Sequence, residues 1–360
     1  MVGNAAGSTG TLTITGAGSE LKTVGGFTLG SAYVDNAFNF GTPGGTTTAT
    51  LNVLAGGTLR TQSTMLAGGP SGPSALGTEQ SFATATVDGA ASRWYITGTG
   101  SGGASANLNA GSTRSQATIT LSNGGQLIVD ATGEAGAGAN FVNVGSNGGR
   151  GDLVVNSGGK LSLIGGTAAD RSANLAVGGY GVGSQGFATV TGAGSEITVS
   201  GTNANLGVGA AGASGTLTVS NAGRVTSGGL TIGDKGGVGT VNVNGGFIDL
   251  NGSQGRLLIG NSGTGTLAVS GGGVVDATLN PAACVGNWCG NILANGAGST
   301  GTLTIDGAGS VVRTLRSFQA GTTYVDAFTG TAGGVTTATI QITNGGKFVT
   351  GNTALGTPPS

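Results

Sequence analysis

Residues 215–233 read GTLTVSNAGRVTSGGLTIG. Leu217 and Val219 alternate with threonine, a turn follows at Asn221–Gly223, then Val225, then Gly228-Gly229, and Leu230 and Ile232 run into Gly233. Alternation with period two, in β-branched residues bounded by Gly and Asn, is the signature of short strands and not of a helix. The stretch therefore predicts three strands separated by two sharp corners.

Working outward, the unit recurs along the whole chain. The first apolar residue of its first strand is Leu12, Leu51, Ala85, Ile119, Leu153, Ala188, Leu217, Val241, Leu267, Leu303 and Ile340, at spacings between 24 and 39 residues. Each has an apolar partner two positions on, from Ile14 to Ile342, and a Gly-rich turn after it, often led by Asn as at Asn123 and Asn221. Gly and Asn tolerate positive φ, which a corner needs. A second column holds Leu21, Leu59, Leu127, Leu161, Ile197, Val225, Ile248, Val275, Val312 and Phe348, with Trp94 in the same series. The third strand reads apolar-x-aliphatic-Gly, as in Phe27–Gly30, Val142–Gly145 and Leu257–Gly260. The same frame places Met65-Leu66-Ala67-Gly68 and Ile292-Leu293-Ala294-Asn295 as weaker copies.

Three short strands bury no face alone, but stacked coils turn the apolar columns into one core. The expected fold is all-β: a right-handed parallel β-helix, or solenoid, of about eleven coils with three short strands each. Ten coil steps at about 4.8 Å give a rod roughly 48 Å long. The expected organisation is one continuous β-helix over residues 1–360.

A longer period overlies the coils. Residues 6–19, AGSTGTLTITGAGS, return as 297–310, AGSTGTLTIDGAGS, with Asp306 in place of Thr15, and Tyr33-Val34-Asp35 returns as Tyr324-Val325-Asp326. The reading is a super-repeat over residues 1–290 with the next copy starting at 291–360, in a fragment of a longer array. Met1 enters a repeat at once, so no signal peptide is expected.

Composition narrows the partners. The chain has 80 Gly, no His and a net charge of -1. It lacks the basic stripe that a phosphate backbone requires, so nucleic acid is not an expected partner. No apolar run reaches the roughly 20 residues of a spanning helix, so this segment is not expected to insert in a membrane. With no His, and Asp scattered instead of set in a calcium-binding repeat, no metal or cofactor is expected.

The units GTLTVSNAGRVTSGGLTIG, GTLAVSGGGVVD and GTLTIDGAGSVVRT, within a likeness that runs from Gly10 to Gly356, resemble the repeat shared by type V secretion (autotransporter) passenger domains and some PEP-CTERM-associated surface proteins. The resemblance implies a right-handed β-helix displayed on, or released from, the surface of a Gram-negative bacterium. It also implies roles in adhesion or aggregation, against a host or neighbouring-cell surface, a glycan, or another copy.

Four features carry candidate chemistry. Cys284 and Cys289, in PAACVGNWCG, suit a small disulfide loop in an extracellular protein; two reduced thiols are the alternative. Arg150-Gly151-Asp152 spells an integrin-type tripeptide, yet Asp152 takes the place of Thr11 and Thr302 at a strand start, where a solvated corner is the plainer reading. Asp249 and Asp276 share one position in adjacent coils, about 5 Å apart once stacked, as in a retaining glycosidase. Arg313 continues that column, which favours a charge-compensated outer face and no catalysis. Lastly, Tyr33, Phe38, Phe40, Trp288, Tyr324 and Phe328 lie in or beside insertions that bulge from the coils. Aromatics on such loops serve either as contacts for glycan or protein or as cover for the tube's flank. The expected function is non-enzymatic adhesion, aggregation or matrix building; the alternatives are a stalk or end-to-end fibre subunit and, less favoured, a polysaccharide lyase or hydrolase.

Overall fold

A computed structural model describes residues 1–98, 105–133, 138–166, 172–250, 255–278, 291–314, 318–322, 335–351 and 353–355. The chain is a right-handed parallel β-helix of eleven coils, and each coil supplies one strand to each of three eleven-stranded sheets. Sheet one runs from Thr9–Thr15 to Thr337–Thr343, sheet two from Glu20–Lys22 to Lys347–Thr350, and sheet three from Phe27–Tyr33 to Thr353–Leu355. Successive strands pair in parallel. A single 3-10 turn, Asn36–Phe38, is the one helical element among the described residues.

The first two columns stand as the alternation predicts. In sheet one, Leu12 pairs with Leu51, Leu51 with Ala85, and Leu217 with Val241. In sheet two, Trp94 lies between Leu59 and Leu127. These inward residues are fully buried through most of the rod and form one continuous cluster. The Trp94 indole N–H, which water would otherwise satisfy, donates to Thr61 Oγ1 at 3.2 Å, and Thr61 in turn shares a 3.0 Å bond with Thr64 Oγ1.

That bond explains a difference in sheet three. Thr64, not Met65, pairs with Phe27 and Leu108, and Leu66 pairs with Leu29 and Ala110. Met65 faces outward and is 41% exposed, while Thr64 is buried. The same one-residue offset occurs near the other end: Ile292 pairs with Leu258 and Leu293 with Ile259, so Asn291 turns inward. Its Oδ1 accepts the Leu257 N–H at 2.9 Å. In both coils an alanine, Ala67 or Ala294, takes the left-handed corner held elsewhere by Gly, with φ of 55° and 59°. Counting from the next Gly or Asn therefore shifts the frame by one residue, which exchanges the inner and outer faces of a strand.

The three corners obey different rules. The first, between sheets one and two, holds two to four residues in every coil: 55–57 in one, 157–159 in another. Where it ends on Gly the coils touch; a Cβ at Gly159 would lie 2.1 Å from the Leu121 carbonyl oxygen of the coil before. Where it reads Gly-Ala-x-Ser, the serine stitches coils instead. Ser92 Oγ accepts Gly56 N–H at 3.0 Å and Ser195 Oγ accepts Gly158 N–H at 3.0 Å. The second and third corners carry the insertions, such as 34–45 and 72–79 at the third corner.

Candidate functional site

The insertions 34–45 and 72–79 emerge from the third corner of consecutive coils and fold against each other as one knob. Its floor is a small cluster of Ala6, Ala32 and Val34, separate from the main core, with Ala75 packed on it. Val34 donates its N–H to Ser71 O at 2.9 Å and accepts Ser74 N–H at 3.3 Å. Asp35 and Phe40 exchange backbone bonds of 2.7 and 2.9 Å, closing a tight loop. Inside it, the Asp35 carboxylate accepts the Ala37 N–H at 3.0 Å and starts the 3-10 turn Asn36–Phe38. Gly41, at φ 82°, returns the chain so close that a Cβ would lie 2.3 Å from the Tyr33 carbonyl oxygen.

Glu79 joins the two insertions. Its side chain is buried, and Oε1 accepts the N–H of Leu76 at 2.7 Å and of Gly44 at 3.0 Å. Those amide bonds, Gly44 first and Leu76 second, stabilise the anion and pull its pKa down to about 2. Glu79 was not singled out among the sequence's candidates. The available signal was that it is the only charged residue between Pro70 and Ser81, the stretch around the second insertion.

Above this frame the apolar side chains point to solvent. Phe38 is 81% exposed and Leu76 68% exposed. Phe40 is less so; its ring meets Tyr33 edge-on with centroids 5.7 Å apart, and Tyr33 is half-buried. The knob thus brings together Tyr33, Phe38 and Phe40. Trp288, Tyr324 and Phe328 lie outside the described residues, as do Cys284 and Cys289.

The tripeptide Arg150–Asp152 lies within the strand Arg150–Asn156 of sheet one. Arg150 binds the Asp152 carboxylate through both Nε (2.9 Å) and Nη2 (2.7 Å), and its guanidinium stacks over the Phe187 ring at 4.2 Å. Both charged groups are engaged on the face of the sheet.

Asp249 and Asp276 are register neighbours in sheet two, followed by Arg313. Each carboxylate has its own cation: Arg224 Nη2 lies 2.7 Å from Asp249, and Arg313 Nη1 lies 3.6 Å from Asp276. Asp276 also accepts the Thr278 N–H and hydroxyl, at 3.0 and 2.5 Å. Among the described residues no group of three or more His, Cys, Asp or Glu is gathered to hold a metal ion, and no helix is long and apolar enough to cross a membrane.

No family model matches the chain, and no curated protein sequence matches it. Among solved structures it is similar to a TibA fragment in its TibC-catalysed, hyper-glycosylated form, at 16% identity over 98% of each chain and a TM-score of 0.37. At that depth the likeness bears on no individual residue here.

Proposed function

We propose that this chain is a non-enzymatic adhesive rod, exposed on or released from a Gram-negative cell, that holds cells or matrix together through contacts made by its knob. The observation that carries the reading is the exposure of Phe38 and Leu76 on a frame locked by the buried Glu79 carboxylate. A mobile loop loses conformational entropy when it binds, whereas a frame already ordered does not. Exposed aromatic and aliphatic side chains on such a frame suit a glycan ring face or an apolar protein patch. Arrayed along a long fibre, contacts of low individual affinity add up through multivalency. The arginine partners of Asp249 and Asp276 support the absence of catalysis.

The test is aggregation of cells or protein-coated beads by the intact chain and by a Phe38→Ala, Leu76→Ala double variant. Reduced aggregation at unchanged melting temperature supports the reading. Undiminished aggregation by a variant with both insertions trimmed sinks it. The alternative of a stalk or fibre subunit draws on sheets that run unbroken through all eleven coils; it predicts dependence on coil number and none on the knob.

A further inference from the structure

We infer that the outer face of sheet one in coils one to four is an ice-binding face. The inference is independent of the knob. In this patch the outward side chains form two straight columns. One runs from Thr11 through Thr50 and Thr84 to Thr118, and the other runs from Thr13 to Thr120 with Asn52 as its one departure. The register is unbroken across all four strands, so the hydroxyls repeat at about 4.8 Å along the rod and about 6.7 Å across it.

That spacing decides the chemistry. Hydroxyls about 4.8 Å apart are too distant to bond one another, since O–H···O bonds need about 2.5–3.0 Å. Apart from Thr13, whose Oγ1 accepts the Asn52 amide at 3.4 Å, each is left to hold water, and the strand repeat spaces the bound waters in a row. The row's period is close to the oxygen repeat along the a axis of hexagonal ice. The threonine methyl groups fill the ground between, and β-branching restricts side-chain rotation.

Charge and area select the occupant. Four of the five ion pairs among the described residues lie on sheet two, where Arg60 meets Glu20 and Lys160 meets Glu196. The two columns themselves are neutral, as a neutral lattice requires; Asp88, at the rim of the same face, is engaged by Ser122 and Asn123. It spans on the order of 200 Å², far below the roughly 800 Å² per partner of a stable protein interface. Coils five and six end it, with the Asp152–Arg150 pair, Val154 and Phe187 replacing the threonines.

The experiment is slow freezing of a dilute solution of the full chain onto a cold finger, with protein measured in ice and liquid beside an inert globular protein. Recrystallisation of fine ice grains is followed on the same samples. The expected result is enrichment in the ice and arrested grain growth, both lost in Thr84→Tyr and both kept in Thr198→Tyr on sheet two. Circular dichroism and melting establish that the variants fold. Should Thr84→Tyr fail to fold, Thr84→Val keeps the side-chain shape while removing the hydroxyl, and must weaken the enrichment. No enrichment of the parent chain overturns the inference, and so does enrichment indifferent to either Thr84 variant. Sedimentation that shows a dimer broken by Thr84→Tyr assigns the face to a second copy and overturns it as well.

Discussion

Coil seven runs from Leu217 to Val241 in 24 residues, and coil one runs from Leu12 to Leu51 in 39. Both make the same three strands and fill the same three inward columns. Their first corners are nearly alike, 221–223 against 16–19, whereas their third corners differ fourfold, 235–237 against 34–45. Length is added only where the chain can leave the stack. Where the first corner ends on Gly, the backbone of one coil rests on the carbonyl of the coil before, so no side chain fits at that position. At the third corner the chain swings outward, and a longer loop adds only a closure cost that grows slowly with length.

The sharpest way to break this comparison is at the first corner. Gly159→Ala sets a methyl 2.1 Å from the Leu121 carbonyl oxygen. Backbone must move in two coils, and the expected loss is about 3 kcal/mol or more. A Gly-Ser pair inserted after Val182, which is exposed in the third corner 178–184 of coil five, is expected to cost about 1 kcal/mol or less. Urea midpoints of the two variants check the contrast; equal losses would mean that the corners do not differ in kind.

Next in size is the core that both coils share. Trp94 is fully buried in a column otherwise filled by Leu, Ile, Val and Phe. Trp94→Ala is expected to cost about 3–5 kcal/mol. Trp94→Phe is expected to cost less, because Thr61 and Thr64 keep each other as partners once the indole N–H is gone. Thermal melting separates the two.

The knob gives a smaller and pH-dependent effect. Glu79 has a folded-state pKa pulled down to about 2 by the Gly44 and Leu76 amides. A depressed carboxylate stabilises fully above its unfolded value, and its contribution falls away as pH drops through the range between the two values. Proteolysis at the 34–45 and 72–79 loops should therefore accelerate between about pH 4.5 and pH 2. Glu79→Gln should be cut at one rate across that range. A variant that keeps the acid dependence would place its origin elsewhere.

Most of the fold was legible in the sequence because the inward columns of sheets one and two carry apolar residues at fixed offsets from tight corners. Trp94 could be assigned from its position alone. Sheet three was less legible because two coils break its pattern for local polar reasons. Thr64 stands inward as the far partner of Thr61 beneath the Trp94 indole, and Asn291 stands inward to cap the Leu257 N–H. Ala67 and Ala294 then hide the corners by holding a glycine conformation. The knob was legible only as an insertion with aromatics. That Glu79 pins two insertions 35 residues apart depends on which coils are neighbours, and no local pattern carries that.

The smallest effect compares coil one with the coil that repeats its sequence. Thr15 and Asp306 are the single difference between 6–19 and 297–310. Asp306 accepts the Thr343 hydroxyl at 2.6 Å and the Asn344 amide at 2.7 Å, both from the following coil, and these bonds lower its pKa. The coil after Thr15 presents Leu54 and Ala55 at those places, which have no side-chain donor to offer. The aspartate is therefore matched to its neighbour and not to the repeat. Asp306→Thr should lower the melting temperature slightly at pH 7 and not at all once the solution is acid enough to protonate the carboxylate. Thr15→Asp should give no gain at either pH. A penalty for Asp306→Thr that persists unchanged in acid would show that the hydrogen-bonded anion is not what the substitution removes.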